Sequence, residues 1–198
     1  MFNDAIIADK RNSLLSLLRP AVAEVSGRER LIAFVVDQFA DLEPPEVDTR
    51  LYNMTMQPGG FGGGASRKPG NITLNWRRLF VAVSEAGLAA SGVALQPWLF
   101  PLAGLVMWNA LWSLLDIKID ERHAAVLWAL WTLRGPDNRV DKAHLPERVN
   151  EALSQFNHPA VTPTQLQRIL AELERLECLE SANRDNVWLR EWVRAPWE

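Results

Sequence analysis

One cysteine, one tyrosine and three histidines in 198 residues leave little material for several kinds of site. Cys178 has no partner for an intrachain disulfide, and a lone thiol suits a reducing compartment. His123, His144 and His158 fall one per segment, without cysteine or carboxylate partners at metal-ligand spacing. Each is expected to be a surface or capping residue, and neither a metal nor a cofactor is expected. An excess of one charge is also missing. The 21 Lys and Arg against 24 Asp and Glu leave a net charge of −3, which advertises neither nucleic acid nor an anionic membrane as a partner. Residues 117–198 are themselves slightly acidic, with 11 basic and 13 acidic side chains. No Gly-x-Ser-x-Gly, His-Glu-x-x-His or paired-carboxylate cluster occurs, so no catalytic residues are expected and the chain reads as non-enzymatic. Asp4 and Asp9 stand where a secretory leader has basic residues, which points to the cytoplasm or the cytosolic face of a membrane.

What is present is tryptophan, nine of them, within a chain that is 48% hydrophobic and 23% charged and therefore reads as globular. Residues 3–19 and 27–42 have helical character; Leu31, Ile32, Val35, Val36 and Phe39 make an apolar stripe in the second. Pro44-Pro45 ends that run, and residues 47–56 are rich in strand formers. A glycine-rich loop over 57–70 follows, with Arg67 and Lys68 near its end as a candidate anion-binding tip. Its residue order does not match a P-loop, because no Lys-Ser/Thr pair follows the last glycine, and Pro69 breaks any dinucleotide fingerprint. Asn71 or Thr73 is placed to cap a helix over 74–88. The segment 86–115 has no charged residue and is long enough to span a bilayer. However, Pro97 and Pro101 interrupt it, and its clean helical piece, 102–115, covers only about 21 Å. A buried central helix is the better expectation. The chain is thus expected to be α+β and mainly α, with a helical N-terminal region over 1–116 and a second domain over 117–198.

The second domain has the clearest pattern. Residues 116–120 read as a short strand and 121–134 as a helix, stopped by Gly135-Pro-Asp-Asn138. Residues 139–141 suit a one-bridge strand and 145–156 a second helix. Thr162, Pro163 and Gln165 then form a capping box with proline at the first helical position. They open a helix with Leu166, Ile169, Leu170, Leu173 and Leu176 on one face. Strands over 178–181 and 187–194 flank a hairpin tip at 182–186. Three helices, a bridging strand and a hairpin over about 117–194 resemble the winged helix-turn-helix superfamily in topology.

The resemblance implies either of two uses. In DNA-binding members the third helix enters the major groove, which here makes Gln165, Gln167, Arg168 and Arg175, with Arg184 on the wing, the candidate contacts to double-stranded DNA. Three glutamates on the same helix have the wrong sign for phosphate neutralisation. Docking of a protein partner through the winged helix and exposed tryptophans, or self-association, needs no basic face and is the leading expectation. A DNA-binding regulator is second, and a small membrane-associated effector anchored by 86–115 is third.

Overall fold

A computed structural model describes residues 2–20, 27–47, 67–86, 97–111, 117–181 and 185–197. The protein is α+β and mainly α, with seven helices among the described residues and small antiparallel sheets. Helix α1 (Phe2–Leu18) buries Leu14 and Leu18 against the next helix, α2 (Arg28–Phe39). The predicted stripe on α2 is buried throughout, as its spacing requires. The helix stops at Phe39 rather than at 42, because Ala40 turns extended and begins strand β1 (Ala40–Glu43). Pairing with a distant strand overrides helical continuation there.

That distant strand is β4 (Gly70–Asn75), reached after a two-stranded ribbon of β2 (Glu46–Val47) and β3 (Arg67–Lys68). Arg67 and Lys68 therefore lie on extended backbone, paired with Val47 and Glu46, rather than at a loop tip. The rest of the expected strand, 48–56, and the glycines at 59–64 lie outside the described residues. β4 buries Gly70, Ile72 and Leu74 alternately, so the segment expected to open a helix is the central strand of a sheet. Helix α3 (Trp76–Ala86) starts after it, capped by Asn75, whose Oδ1 accepts the Arg78 N–H at 2.9 Å.

Helix α4 (Leu99–Leu111) is the realised part of the apolar segment, buried over Leu99–Pro101, Ala103–Leu105 and Met107–Trp108. Pro101 does not interrupt it, since a proline in the first turn costs no intrahelical bond. Gly104 lets it approach α2 and α3 closely: a Cβ there would meet Trp76 at 3.0 Å and Phe39 at 3.2 Å. No helix among the described residues is long and apolar enough to cross a membrane. Residues 87–96 and 112–115 lie outside them.

Beyond α4 the chain is irregular over 117–120, where a strand was expected; Asn109 Nδ2 donates to the Ile117 carbonyl at 3.0 Å and ties this stretch to α4. Helix α5 (Glu121–Leu133), strand β5 (Arg139–Asp141), helix α6 (Leu145–Ser154), helix α7 (Pro163–Arg175) and strands β6 (Leu179–Ser181) and β7 (Asn186–Leu189) follow in turn. β5 pairs with β7, and β7 with β6, all antiparallel. The Thr162–Gln165 capping box forms as its spacing predicts. α7 closes on a Schellman turn, with Glu177 at a left-handed φ of 56° and the Cys178 N–H reaching the Leu173 carbonyl at 3.0 Å.

The returning strand does not continue to 194. It breaks at Arg190-Glu191, and β8 (Trp192–Trp197) leaves to pair with β4 from Asn75↔Trp192 to Gly70↔Trp197. The sheet β1-β4-β8 thus draws two strands from the first 116 residues and one from the C-terminal segment. The reason is packing: Val193, Ala195 and Trp197 face inward and are buried, and Trp197 Nε1 donates to the Glu43 carbonyl at 3.0 Å. One apolar core, from Leu14 to Trp197, runs through both segments. Within it a chain of rings crosses the molecule: Phe39–Trp76 at 4.4 Å, Trp76–Phe80 at 6.0 Å, Phe80–Trp128 at 5.7 Å, Trp128–Phe156 at 6.2 Å and Phe156–Trp98 at 6.5 Å. Most of the tryptophan content is core material.

Candidate functional site

The outward face of α7 carries the residues singled out as DNA contacts, and their surroundings differ. Gln165 is spent on the cap, its Oε1 accepting the Thr162 N–H at 2.9 Å. Gln167, Arg168 and Arg175 are exposed, and Arg168 lies 4.0 Å from Glu172. Arg184 lies outside the described residues. The helix's acids are engaged within the molecule. Glu172 turns to His123, Glu174 accepts the Ser181 N–H at 3.1 Å, and Glu177 pairs with Arg190 at 3.5 Å.

His123 is a capping residue, one of the two roles expected of it, and Glu172 adds a contact from far along the chain. His123 is 2% exposed; its Nδ1 lies 2.7 Å from Asp120 Oδ1 and its Nε2 lies 2.7 Å from Glu172 Oε2. The same Nδ1 lies 3.3 Å from the Asp120 N–H, the contact that completes the capping box of α5. Burial raises the Asp120 carboxyl, but hydrogen bonds and charge from His123, with the Arg122 amide, outweigh it and hold the group below the ordinary aspartate range. The carboxylates flank opposite edges of the ring, and no group of His, Cys, Asp and Glu among the described residues is arranged to hold a metal. This is a polar clamp between α5 and α7. Its Asp120–His123 half was readable as cap and third helical residue; Glu172, 49 residues from His123, left no local signal. Cys178 is buried, and burial pushes its thiol up, away from reactivity.

Between α6, α7 and the β5-β7-β6 sheet lies a groove of about 380 Å³. Leu145, Leu166, Leu170, Leu179 and Val187 form its floor, while Lys142, Gln167 and Glu174 stand at the rim. An apolar floor inside a polar rim suits the side chains of a partner.

A second surface carries exposed tryptophans. Trp192 is 58% and Trp188 39% exposed, the only large apolar side chains so exposed among the described residues. Four residues of chain hold their Cα atoms within about 14 Å of each other. Beside them a polar pocket of about 320 Å³ is lined by Arg77, Arg134, Gly135, Pro136, Asn138 and Glu191. Arg77 comes from the first turn of α3, Arg134 from the end of α5 and Glu191 from the break before β8, so only the folded chain assembles them. No protein family matches the chain, nor does any curated protein or solved structure, so a functional reading stands on this geometry.

Proposed function

We propose that the protein is a non-enzymatic docking module whose residues from about 117 to 189 form a winged helix-turn-helix domain. The order α5-β5-α6-α7-β6-β7, with β7 between β5 and β6, supports the topology. The single observation that carries the docking role is the leucine-floored groove against α7, which offers a partner a desolvated seat within a polar rim. The reading places the protein in the cytosol, where a single buried thiol needs no disulfide partner.

One observation favours a second reading, a DNA-binding regulator. Glu172, Glu174 and Glu177 are all engaged internally, which removes much of the repulsion their number implies and leaves Arg168 and Arg175 outward.

Two variants separate the readings. Ala171 is exposed and lines the groove, so Ala171→Arg blocks it without opening the core. Docking predicts that a protein captured reproducibly by the purified wild type is lost with Ala171→Arg and kept with the Arg168→Ala/Arg175→Ala double variant. The regulator reading predicts the reverse for duplex DNA: anisotropy at about 50 mM and 200 mM salt shows binding that collapses with salt and is lost in the double variant. Capture unaffected by Ala171→Arg overturns the groove as the docking site.

A further inference from the structure

The pocket beside Trp188 and Trp192 holds two guanidinium groups for one carboxylate. Glu191 Oε1 accepts from Arg77 Nη1 at 3.1 Å and from Asn138 Nδ2 at 2.7 Å. Arg134 has no carboxylate within ion-pair distance among the described residues. Its guanidinium instead lies over the Trp131 ring, 3.3 Å from the centroid, and donates to the Trp131 carbonyl. Burial and the charge of Arg77 pull Arg134 below the ordinary guanidinium range, and Glu191 offsets only part of that. Arg134, partly buried and beside a second cation, is favoured by an anion that joins the pair. Stacking on Trp131 also spares an incoming anion the entropy of ordering a long side chain.

We propose that this pocket binds an oxyanion, a phosphate or a carboxylate, carried on a group with an aromatic or flat apolar face. An arginine fork donates two parallel hydrogen bonds to two oxygens of either anion. A volume of about 320 Å³ fits a headgroup rather than a large ligand. Glu191 is the internal occupant, its carboxylate standing where the ligand's oxygens compete for Arg77. The two exposed indoles supply faces for the ligand's body. Trp192 follows Glu191 directly and pairs with Asn75 at the foot of α3, and Trp188 pairs with Arg139 just beyond Asn138. This site is separate from the groove, and its test does not depend on the docking reading.

Calorimetric titration of the full chain at low salt with inorganic phosphate, phenyl phosphate and benzoate tests it. Phenyl phosphate is expected to bind at least about tenfold more tightly than inorganic phosphate, and its rank against benzoate tells a phosphate site from a carboxylate site. Glu191→Gln should tighten binding several-fold by removing the internal competitor. Arg134→Gln and, independently, Arg77→Gln should weaken it at least about tenfold. Arg77 is the safeguard against misfolding, since its side chain is 64% exposed. Trp192→Ala should erase the gain of phenyl phosphate over phosphate. The proposal is overturned by no binding to either wild type or Glu191→Gln at millimolar probe, or by binding that both arginine variants leave intact. A phenyl gain that survives Trp192→Ala and Trp188→Ala overturns the aromatic part.

Discussion

The two three-stranded sheets are of similar size and opposite in origin. In β5-β7-β6 all strands come from residues 139–189, and two of the three pair across a short connection. In β1-β4-β8 the strands come from 40–43, 70–75 and 192–197, and the last closes against a partner more than a hundred residues away. The first sheet holds one local pairing, β6 with β7, whereas the β4–β8 pairing of the second rests on burial of what its strands carry. A local sheet has inexpensive loop closure and can form early; a distant one repays its closure entropy only when its core contacts are made.

Removing β8 should break the comparison most severely. Ending the chain after Arg190 deletes the buried Val193, Ala195 and Trp197 and uncovers β4, at a cost of at least about 5 kcal/mol. Denaturant unfolding is expected to show a collapse in stability. Hydrogen exchange should show amide protection lost first in β1 and β4 while β5 and β7 retain more. Equal loss in both sheets would mean that the two cannot be separated energetically.

Gly70→Ala probes the same junction more gently. A Cβ at Gly70 would meet the Glu43 carbonyl at 2.6 Å and the Trp197 ring at 2.7 Å, so strand β4 or Trp197 must shift. The expected cost is about 1–3 kcal/mol in chemical denaturation, whereas Ser181→Ala, at an exposed position in the local sheet, should stay within about 0.5 kcal/mol.

The smallest effect is expected from acid, on the local side of the molecule. The folded-state value of Asp120 is depressed, so its contribution is fully present above the ordinary value of 3.8 and is lost as pH falls through the lower folded one. Asp120→Asn should therefore flatten the dependence of stability on pH below about 4, and only slightly, because the carboxylate is half exposed and screened by solvent. An unchanged acid slope would mean that the clamp with His123 does not favour the ionised carboxylate.

What the sequence disclosed follows the same division. Thr162, Pro163 and Gln165 announce α7 because a cap is made within four residues, and Gly135–Asn138 stops α5 for the same reason. The alternation of Ile72 and Leu74 was also on view, but Asn71 and Thr73, which alternate with them, are equally good helix caps. Only pairing with β1 and β8 decides for a strand. The 187–194 run has strand character throughout, and nothing local says that it changes sheets at Arg190-Glu191. The site residues divide likewise. Gln165, Gln167, Arg168 and Arg175 fall on one helix and were visible together, while Arg77, Arg134 and Glu191 meet only through the fold. In sequence Arg67 and Lys68 look like a loop tip, because the ribbon they form with Glu46 and Val47 closes across twenty residues.

The late pairing of β4 also sets a clock during synthesis. Asn75 and Trp192, which meet across the ladder, are 117 residues apart. At the usual elongation rate of about 5–20 residues per second, that separation is roughly 6–23 s during which β4 has left the ribosome's catalytic centre and its final neighbour has not been made. For that interval a strand bearing Ile72 and Leu74 has one edge open, a template for any other extended chain nearby. Chaperone demand and misassembly in this protein should therefore track translation speed between α3 and β8, so that slow codons there are more harmful than slow codons before β1.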